Sequence, residues 1–408
     1  MTPILCIGHC DWLARVVEVC EDAGLPVVRC PHGAEGLLRV LRHDHQAVLV
    51  QLDARGMGGR EVCLAARLSP GTARMPLFLV GTPDQDRAAQ RLASRVGADG
   101  WLPTCLTPVR AVEYVRRELE RARPGRPPAW PLNVTWTPQW GQRVGPWTLR
   151  EELGSGGYAS VRAARDAQDR EAAVKLPRVQ RPSDLVRCLR EVAALQLVRA
   201  PEVVRLQGWG WERGLPWLAL ERLRGESLSR RIIYQGRIGP ELARRVAVDV
   251  ARALAASSAR EVVHRDVTPA NIWLREGGGA MLIDFGLSKG HGAGHLSRAN
   301  EIFGTVHYIA PEVLRGQPCS LAADLYGLGA SLRYALSERH GWELESTHAL
   351  LKAMVQHDPP PPSLASLRPD LPPWLCRLVS DLESPLPAQR MNAFQQLLRV
   401  GEERELAA

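Results

Sequence analysis

A proline- and arginine-rich break in the middle of the sequence most constrains how this chain can fold. Residues 121 to 146 read RARPGRPPAWPLNVTWTPQWGQRVGP and lose the apolar periodicity found on both sides. We expect an extended linker there, because prolines interrupt helices and central strands. At 408 residues and 45% apolar composition, the chain also exceeds one ordinary core. The sequence therefore predicts separate domains around a linker whose tryptophans, Trp130, Trp136 and Trp140, either dock on a neighbour or stay in solvent.

The charge and cysteine patterns exclude several classes of protein. The net charge of +8 comes from scattered arginines without a long block of like charges, which argues against nucleic-acid binding. The nine cysteines form no CxxC pair, which favours reduced thiols over disulfides or structural zinc. The sequence shows neither a signal peptide nor an apolar span of membrane length. We therefore expect a soluble, cytoplasmic protein without a nucleic-acid or membrane partner.

The sequence before the break has the rhythm of an α/β domain. Between residues 4 and 120, short apolar runs such as ILCI, AVLVQL and PLFLVG alternate with segments of helical period. Such alternation is typical of βα repeats, in which each helix connects two parallel strands. The sequence predicts a parallel sheet there.

A glycine-rich stretch lies just after the break. Residues 152 to 164, ELGSGGYASVRAA, separate two strand-like runs, and their glycines would let backbone N–H groups approach a phosphate closely. Taken alone, such a pattern is more often a simple turn. Strand-like sequence continues to about Leu220 and helical sequence follows, which predicts a small β-rich lobe before a larger helical one.

Lysine is rare in this chain, which makes Lys175 informative. Only three of the 52 Lys and Arg residues are lysines, and Lys175 lies in the apolar run EAAVKL. A buried ammonium group is costly unless it is paired or binds an anion, although a lysine can also snorkel from a strand end. Glu191, in the helical stretch SDLVRCLREVAALQLV, is a candidate partner. Taken singly, a helix glutamate is more often solvated.

Two carboxylates and an amide follow in stretches that suit loops. Asp266 and Asn271 lie in VVHRDVTPANIWL, and Asp284 follows an apolar run in MLIDFGLSK. Carboxylate and amide oxygens are the ligands that Mg²⁺ takes from proteins, usually with substrate phosphates completing its shell. Each aspartate taken singly is better explained as a turn or capping residue.

In this order, the motifs from residue 147 to about 400 resemble those of a bacterial protein kinase domain of the eukaryotic Ser/Thr type. The resemblance implies a bilobal α+β fold, with an N-lobe at 147–220, a C-lobe at 224–400 and a tail at 401–408. It also implies an ATP site. The residues matched to that site are Leu153, Gly154, Ser155, Gly156, Gly157, Val161, Ala173, Lys175, Glu221, Leu223 and Leu274.

The resemblance assigns a role to each catalytic residue. Asp266 would accept the proton of the attacking hydroxyl, and Asn271 and Asp284 would hold Mg²⁺ or Mn²⁺. Lys175, paired with Glu191, would hold the phosphates of ATP.

Further matches concern the support of the site. Glu312 of the APE motif would pair with Arg390, and Asp324 would brace the loop that carries the catalytic aspartate. Leu220 would occupy the gatekeeper position before the adenine-binding backbone at Glu221 and Leu223.

The sequence departs from the family pattern at two positions. Thr268 stands where Ser/Thr kinases have a lysine that contacts the γ-phosphate, and Ala159 stands at the third glycine of the loop. Losing one charged hydrogen bond costs about 1.5–3 kcal/mol, so we expect slower transfer.

Regulation is expected in the segment between Asp284 and Glu312. It contains Ser288, Ser297 and Thr305. Ser297 is our candidate autophosphorylation site, since Arg265 beside the catalytic aspartate would capture its phosphate. Thr305 would instead brace the catalytic loop.

The N-terminal sequence resembles a response-regulator receiver in AVLVQLDARGMGGREVC and GADGWLP, which implies a doubly wound α/β fold. The residues that receivers use for phosphorylation are absent. Gly8 and His9 stand at the positions of the acidic pair, and Gln51 stands at the position of the phosphoacceptor aspartate. Gly81 stands at the hydroxyl position and Thr104 at the lysine position. We therefore expect a pseudo-receiver over residues 1–120 that binds a signalling partner or forms a homodimer.

The leading hypothesis is thus a Ser/Thr protein kinase regulated by its pseudo-receiver, with ATP and a divalent cation as cofactors and proteins as substrates. The alternative is a pseudokinase scaffold that binds nucleotide and partner proteins with negligible transfer. A small-molecule phosphotransferase ranks last, because such enzymes rarely show a segment like GTVHYIAPE.

Overall fold

The structure is a computed structural model that describes residues 2–42, 44–69, 71–120, 139–285, 306–344 and 346–405. The chain folds as two compact units. The first comprises Met1–Leu197 with Leu206–Arg222, and the second comprises Val198–Arg205 with Leu223–Ala408. The N-terminal domain therefore shares one compact unit with the sheet that follows the linker.

A parallel sheet forms the centre of the N-terminal domain, as the alternating sequence predicts. Its strands are β1 (Ile4–Ile7), β2 (Val27–Cys30), β3 (Ala47–Gln51), β4 (Leu77–Gly81) and β5 (Gly100–Pro103). Their order is β2-β1-β3-β4-β5, and every neighbouring pair is parallel. Strands β1, β3 and β4 are buried along their whole length, which shows that both faces of the sheet are covered.

One α-helix follows each of these strands. These helices are α1 (Asp11–Asp22), α2 (Gly33–Val40), α3 (Gly59–Leu68), α4 (Asp86–Val96) and α5 (Pro108–Glu120). Helices α1 and α5 pack against each other, and α2 packs against α3. One apolar core joins side chains of α1 and α5, such as Val16 and Val112, to sheet residues such as Leu49 and Phe78.

An antiparallel sheet completes the first unit. Its strands are β6 (Arg143–Val144), β7 (Trp147–Ser155), β8 (Ala159–Arg165), β9 (Glu171–Pro177), β10 (Leu206–Glu212) and β11 (Leu215–Leu220), and helix α6 (Pro182–Leu197) follows β9. The strand order is β10-β11-β9-β8-β7-β6. The predicted linker therefore ends earlier than expected: Val144 pairs with Trp147 and is fully buried, because it joins the apolar cluster of this sheet.

The second unit is mostly helical, as predicted. A small antiparallel sheet consists of β12 (Gly225–Ser227), β13 (Ile272–Arg275) and β14 (Ala280–Leu282). The helices are α7 (Leu228–Gln235), α8 (Pro240–Ser258), α9 (Pro311–Leu314), α10 (Leu321–Ser337), α11 (Thr347–Gln356), α12 (Leu364–Leu367), α13 (Pro373–Leu382) and α14 (Pro387–Glu405).

Helix α10 is the centre of this unit. It contacts α8, α13 and α14, and nearly all of its residues are buried. Helix α14 continues to Glu405, which places residues 401–405 of the predicted tail in a helix, in keeping with their Glu and Arg content. Among the described helices, none has the length and apolar character needed to cross a membrane.

Candidate active site

The glycine-rich stretch forms the turn between β7 and β8. The backbone N–H of Gly156 donates to the carbonyl of Ala159 at 2.9 Å, which closes the turn. A Cβ added to Gly154 would meet no atom within 4 Å, and one added to Gly156 would meet only Ala159 O, at 4.0 Å. Internal packing therefore does not demand these glycines, and their lack of side chains leaves the backbone open to a ligand.

Lys175 and Glu191 form a buried ion pair. Lys175 lies on β9, in register with Val161 on one side and Leu218 on the other. Its Nζ is 2.7 Å from Oε1 of Glu191 on α6, and the two side chains are only 8% and 1% exposed. Because charges this deeply buried are costly without a partner, the pair fixes the position of α6 relative to the sheet. The predicted pairing is confirmed.

Two further contacts hold the glycine-rich turn. The guanidinium of Arg187 on α6 lies 4.3 Å from the centre of the Tyr158 ring, and Arg178 donates to the hydroxyl of Ser155 at 2.8 Å. Cation–π contacts of this kind are worth about 0.5–1 kcal/mol at exposed sites. Helix α6 is thus linked to the turn as well as to Lys175.

The residues matched to the adenine site lie on strands or directly after β11. Leu220 is buried at the end of β11 and is in register with Ala173 of β9. Glu221, next along the chain, is half-buried, while Leu153 is exposed on β7. In the second unit, Leu223 is half-buried and Leu274 is buried on β13.

Asp266 and Asn271 are joined directly. The Nδ2 of Asn271 donates to both the backbone carbonyl and the Oδ2 of Asp266, each at 2.8 Å. The backbone N–H of Asn271 donates to Thr268 O at 3.0 Å, so the intervening residues form a tight turn. These bonds commit the amide nitrogen to Asp266 and turn the amide oxygen away from it. That oxygen is the atom that a hard cation would bind.

Strand pairing places Asn271 and Asp284 at the same end of the β13–β14 ladder. Ile272 is in register with Leu282, and the N–H of Ile283 donates to the carbonyl of Asn271 at 3.0 Å. Asp284 has a φ of +61°, a left-handed conformation that is uncommon outside glycine. Such backbone strain persists where the surroundings enforce it, often at functional sites. An amide oxygen and a carboxylate together match the donor set that Mg²⁺ takes from proteins.

The segment before Asp266 is fixed by a buried carboxylate. Asp324, on α10, accepts the N–H groups of His264 and Arg265 at 2.8 and 2.7 Å. Burial raises the pKa of Asp324 to about 7, and the two N–H donors oppose that shift. Arg265 itself has a φ of +71°. The predicted bracing contact from Asp324 is confirmed.

His264 supports the same segment with its ring. Its Nε2 is 3.0 Å from the carbonyl of Ile283, and its Nδ1 accepts the N–H of Asp266 at 3.3 Å. The ring must therefore be neutral and carry its hydrogen on Nε2. Burial lowers the pKa of His264 to about 4, which agrees with that state. Phe285 packs edge-on against the ring at 4.6 Å.

Glu312 and Arg390 form the second predicted buried pair, which is also confirmed. Their side chains are 2.7 Å apart, and Arg390 is fully buried. Arg390 also donates to the carbonyl of Ala322 at 2.8 Å. The pair ties α9 to α14. Ser288, Ser297 and Thr305 lie outside the described residues.

At the edge of the N-terminal sheet where β1, β3 and β4 end, the side chain of Gln51 makes three hydrogen bonds. The Oε1 of Gln51 accepts the N–H groups of His9 and Cys10 at 2.9 and 3.2 Å, and its Nε2 donates to Asp53 at 2.9 Å. A Cβ on Gly8 would lie 2.6 Å from the Gln51 amide. The neutral amide therefore fills the place beside β1 and uses its own hydrogen bonds.

The ring of Trp101 lies beside Gly81, the residue at the end of β4. A Cβ added to Gly81 would lie 2.4 Å from the Trp101 ring, so a larger residue there would have to displace that ring. The N–H of Thr104 donates to the carbonyl of Gly81 at 2.8 Å.

A family model described as the protein kinase domain matches residues 147–399, which is more than half of the chain. This chain belongs to the protein kinase family.

Several bacterial kinases are similar to this kinase domain. The tyrosine-protein kinase MasK of Myxococcus xanthus is 32% identical over 250 residues, covering 57% of this chain and 38% of the relative. The probable serine/threonine-protein kinase PknB of Corynebacterium glutamicum is 31% identical, covering 53% and 35%. The serine/threonine-protein kinase PknD of Mycobacterium tuberculosis is 31% identical, covering 64% and 40%. The chain thus spans well under half the length of these relatives.

The kinase fold also appears in a solved structure. Rad53 residues 1–466, in complex with AMP-PNP, superposes with a TM-score of 0.51 and 20% sequence identity. The match covers 62% of this chain and 65% of that chain. At this identity the likeness shows the fold alone.

Sequence reasoning missed two supporting contacts of the kinase domain, the packing of Phe285 on His264 and the contact of Arg187 with Tyr158. His264 and Phe285 were visible within the matched motifs, but their mutual packing depends on the tertiary fold. The contact between Arg187 and Tyr158 joins residues 29 positions apart, and no local sequence pattern predicts it.

Proposed function

We propose that this chain is a Ser/Thr protein kinase, which transfers the γ-phosphoryl group of ATP to hydroxyl groups of proteins. The observation that carries the proposal is the geometry around Asn271. Its amide nitrogen is fixed on Asp266, and its amide oxygen and Asp284 belong to the same end of one strand ladder. A proton acceptor and two cation ligands are thereby built on one rigid support.

The first unit supplies most of the residues proposed to hold ATP, and the second unit supplies Leu223 and Leu274. Open backbone at Gly154 and Gly156 would approach its phosphates, and the Lys175 ammonium, oriented by Glu191, would attract them. Glu221 and Leu223 would offer backbone groups to adenine, with Leu220 preceding them. Val161, Ala173 and Leu274 would supply apolar contacts.

The second unit supplies the residues proposed for transfer. The Asp266 carboxylate would accept the proton of the incoming Ser or Thr hydroxyl, while Asn271 orients that carboxylate. Asn271 and Asp284 would hold the magnesium ion. When bound, magnesium neutralises charge on the β- and γ-phosphate oxygens.

Thr268 sets an expectation for the rate. Its side chain is neutral and buried, and it offers no positive charge to the γ-phosphate. Phosphoryl transfer depends on positioning and charge neutralisation, so we expect a slower enzyme with the same reaction. The similar relatives include proteins named as Ser/Thr kinases and one named as a tyrosine kinase. The acceptor that we propose for this chain is Ser or Thr.

We also propose that residues 1–120 form a pseudo-receiver that regulates the kinase. The strand order β2-β1-β3-β4-β5 supports a doubly wound fold of that type. The hydrogen-bonded Gln51 amide supports the absence of acyl-phosphate chemistry, because an amide cannot accept a phosphoryl group as a carboxylate does. Its partner would be a signalling protein or a second copy of the chain.

The test is incubation with γ-labelled ATP, Mg²⁺ and a protein substrate, comparing the wild type with Asp284→Ala. Label on phosphoserine and phosphothreonine in the wild type alone supports the proposal. Equal label in both proteins refutes it, and label only on phosphotyrosine refutes the proposed acceptor.

A further inference from the structure

Helix α6, which carries Glu191, is buried on more than one side. Its buried residues fall at 184–186, 188–189 and 191–195, so they surround the helix instead of forming one stripe. Strands β9, β10 and β11 contact it, and so do α2 and α3 of the N-terminal domain. The helix that positions Glu191 is therefore packed against two domains within one compact unit.

The loop between β3 and α3 meets the C-terminal end of α6. Gln196 donates its side-chain N–H to the carbonyl of Gly56 at 3.1 Å. Gly56 has a φ of +82°, and a Cβ there would lie 2.8 Å from the Gln196 side chain and 2.2 Å from His32. The left-handed backbone disfavours a side chain at position 56, and a Cβ there would displace the ends of the His32 and Gln196 side chains.

A second contact joins α3 to the strand beside α6. The indole N–H of Trp211, on β10, donates to Oε1 of Glu61 at 3.0 Å, and the guanidinium of Arg60 lies 4.5 Å from the Trp211 ring centre. Glu61 is only 7% exposed. Burial raises the pKa of Glu61, whereas the Trp211 donor and the backbone N–H of Gly58 lower it. A buried carboxylate depends on such donors, so this contact is specific.

Building on the kinase function proposed above, we propose that the N-terminal domain is a built-in docking partner of α6. Through Gly56 and Glu61 it holds Gln196 and Trp211, and thereby keeps Glu191 beside Lys175. Glu61 and Trp211 are positioning residues, since they act through the ion pair and touch no reacting atom. The ion pair is intact in the structure in which the contact is made, as this role requires.

The test uses the full chain with three single substitutions. Trp211→Phe keeps an aromatic ring but removes the N–H donor, leaving the Glu61 carboxylate without its indole partner. Glu61→Gln keeps an oxygen acceptor for that N–H and serves as the conservative variant. Trp209→Phe, on the same strand, is the matched control.

Two readouts separate positioning from general loss of stability. Hydrogen exchange of the α6 amides, residues 182–197, needs no phosphoryl transfer. The second readout is the kinase kcat/KM for ATP. The effect of Trp211→Phe on it is measured in the otherwise wild-type chain and again in a Glu191→Gln background. We expect faster α6 exchange and about a tenfold loss of kcat/KM in Trp211→Phe, the size of one charge-assisted hydrogen bond. Glu61→Gln and Trp209→Phe should stay near wild type.

The double variant decides the route of the effect. If Trp211 acts through Glu191, Trp211→Phe causes no further loss in the Glu191→Gln background. The proposal is overturned if the losses of kcat/KM from Trp211→Phe and Glu191→Gln multiply in the double variant. It is also overturned if α6 exchanges in Trp211→Phe at the wild-type rate. If the wild type transfers no phosphate but α6 exchange still responds to Trp211→Phe alone, the docking stands and the kinase function fails.

Discussion

The ammonium of Lys175 lies 2.7 Å from the carboxylate of Glu191, and both side chains are almost completely buried. The two residues come from different elements, a strand and a helix. The pair therefore reports whether α6 is in place against the sheet. It also presents a single positive charge next to an open glycine-rich turn, which is the environment that an anionic phosphate requires.

Lys175→Met removes that charge while keeping a side chain of similar length. We expect transfer to fall by at least a hundredfold, and stability to fall by about 3–5 kcal/mol, because the buried Glu191 carboxylate loses its lysine. Urea denaturation and initial rates measure both effects. Asp169→Asn, which alters an exposed pair with Arg165, is the control and should change stability by less than about 1 kcal/mol. Unchanged stability in Lys175→Met would contradict this account of the pair.

Asp324→Asn tests the support of the catalytic segment. Asp324 accepts two backbone N–H groups, and an amide can offer only one oxygen, so one N–H loses its acceptor. We expect a loss of about 1–3 kcal/mol in unfolding free energy and a clear decrease in kcat. Asp370→Asn, at an exposed pair with Arg368, is the control. Wild-type kcat in Asp324→Asn would show that the bracing is dispensable.

His340 predicts a pH dependence of stability. Its ring stacks on His307 at 3.9 Å and on Tyr334 at 4.5 Å. Burial lowers the pKa of His340 to about 4, the nearby His307 lowers it further, and Glu343 opposes the shift. Between about pH 6.5 and 4, His340 binds more protons in the unfolded chain than in the folded chain. The contribution of neutral His340 to the free energy of unfolding is therefore complete above about pH 6.5 and is lost as the pH falls towards 4.

His340→Phe keeps the stacking and removes the titration. We expect the difference in unfolding free energy between the variant and the wild type to move in favour of the variant as pH falls from 6.5 to 4. Denaturant melts across that range measure it. A difference that stays constant with pH would contradict the depressed pKa.

Ser297 is predicted to be autophosphorylated. The exposed Arg265 next to Asp266 is the proposed partner of the phosphate, which would order the segment. Phosphopeptide mapping of the active enzyme should find phosphate at Ser297, and Ser297→Ala should lower activity more than Ser288→Ala. An unmodified Ser297 in active protein would remove this prediction.

The placement of Asp266, Asn271 and Asp284 was predictable from the sequence because their motif spacing is local. Asp266 and Asn271 share one turn, and Asp284 ends the next hairpin, so strand pairing alone brings them together. The pairing of Lys175 with Glu191 was also predictable, since a buried lysine needs a partner. The N-terminal sheet followed from its alternating pattern.

The contacts between domains could not be read in this way. Trp211 and Glu61 are 150 positions apart, and each is an ordinary residue in its own stretch of sequence. The strand at Arg143–Val144 was missed for a related reason: its burial depends on a cluster with Trp147, while its neighbours Gly141 and Gly145 suggest a loop. Tertiary packing overrides local preference at both places.

Phosphoryl transfer by Asp266→Asn, compared with the wild type at saturating ATP and Mg²⁺, tests the central claim most directly. The amide keeps an oxygen for the Asn271 N–H but cannot accept the substrate proton, so nucleotide affinity should be unchanged while kcat falls by about 10²–10⁴-fold. Equal kcat in the two proteins would contradict the assignment of this loop as the site of transfer.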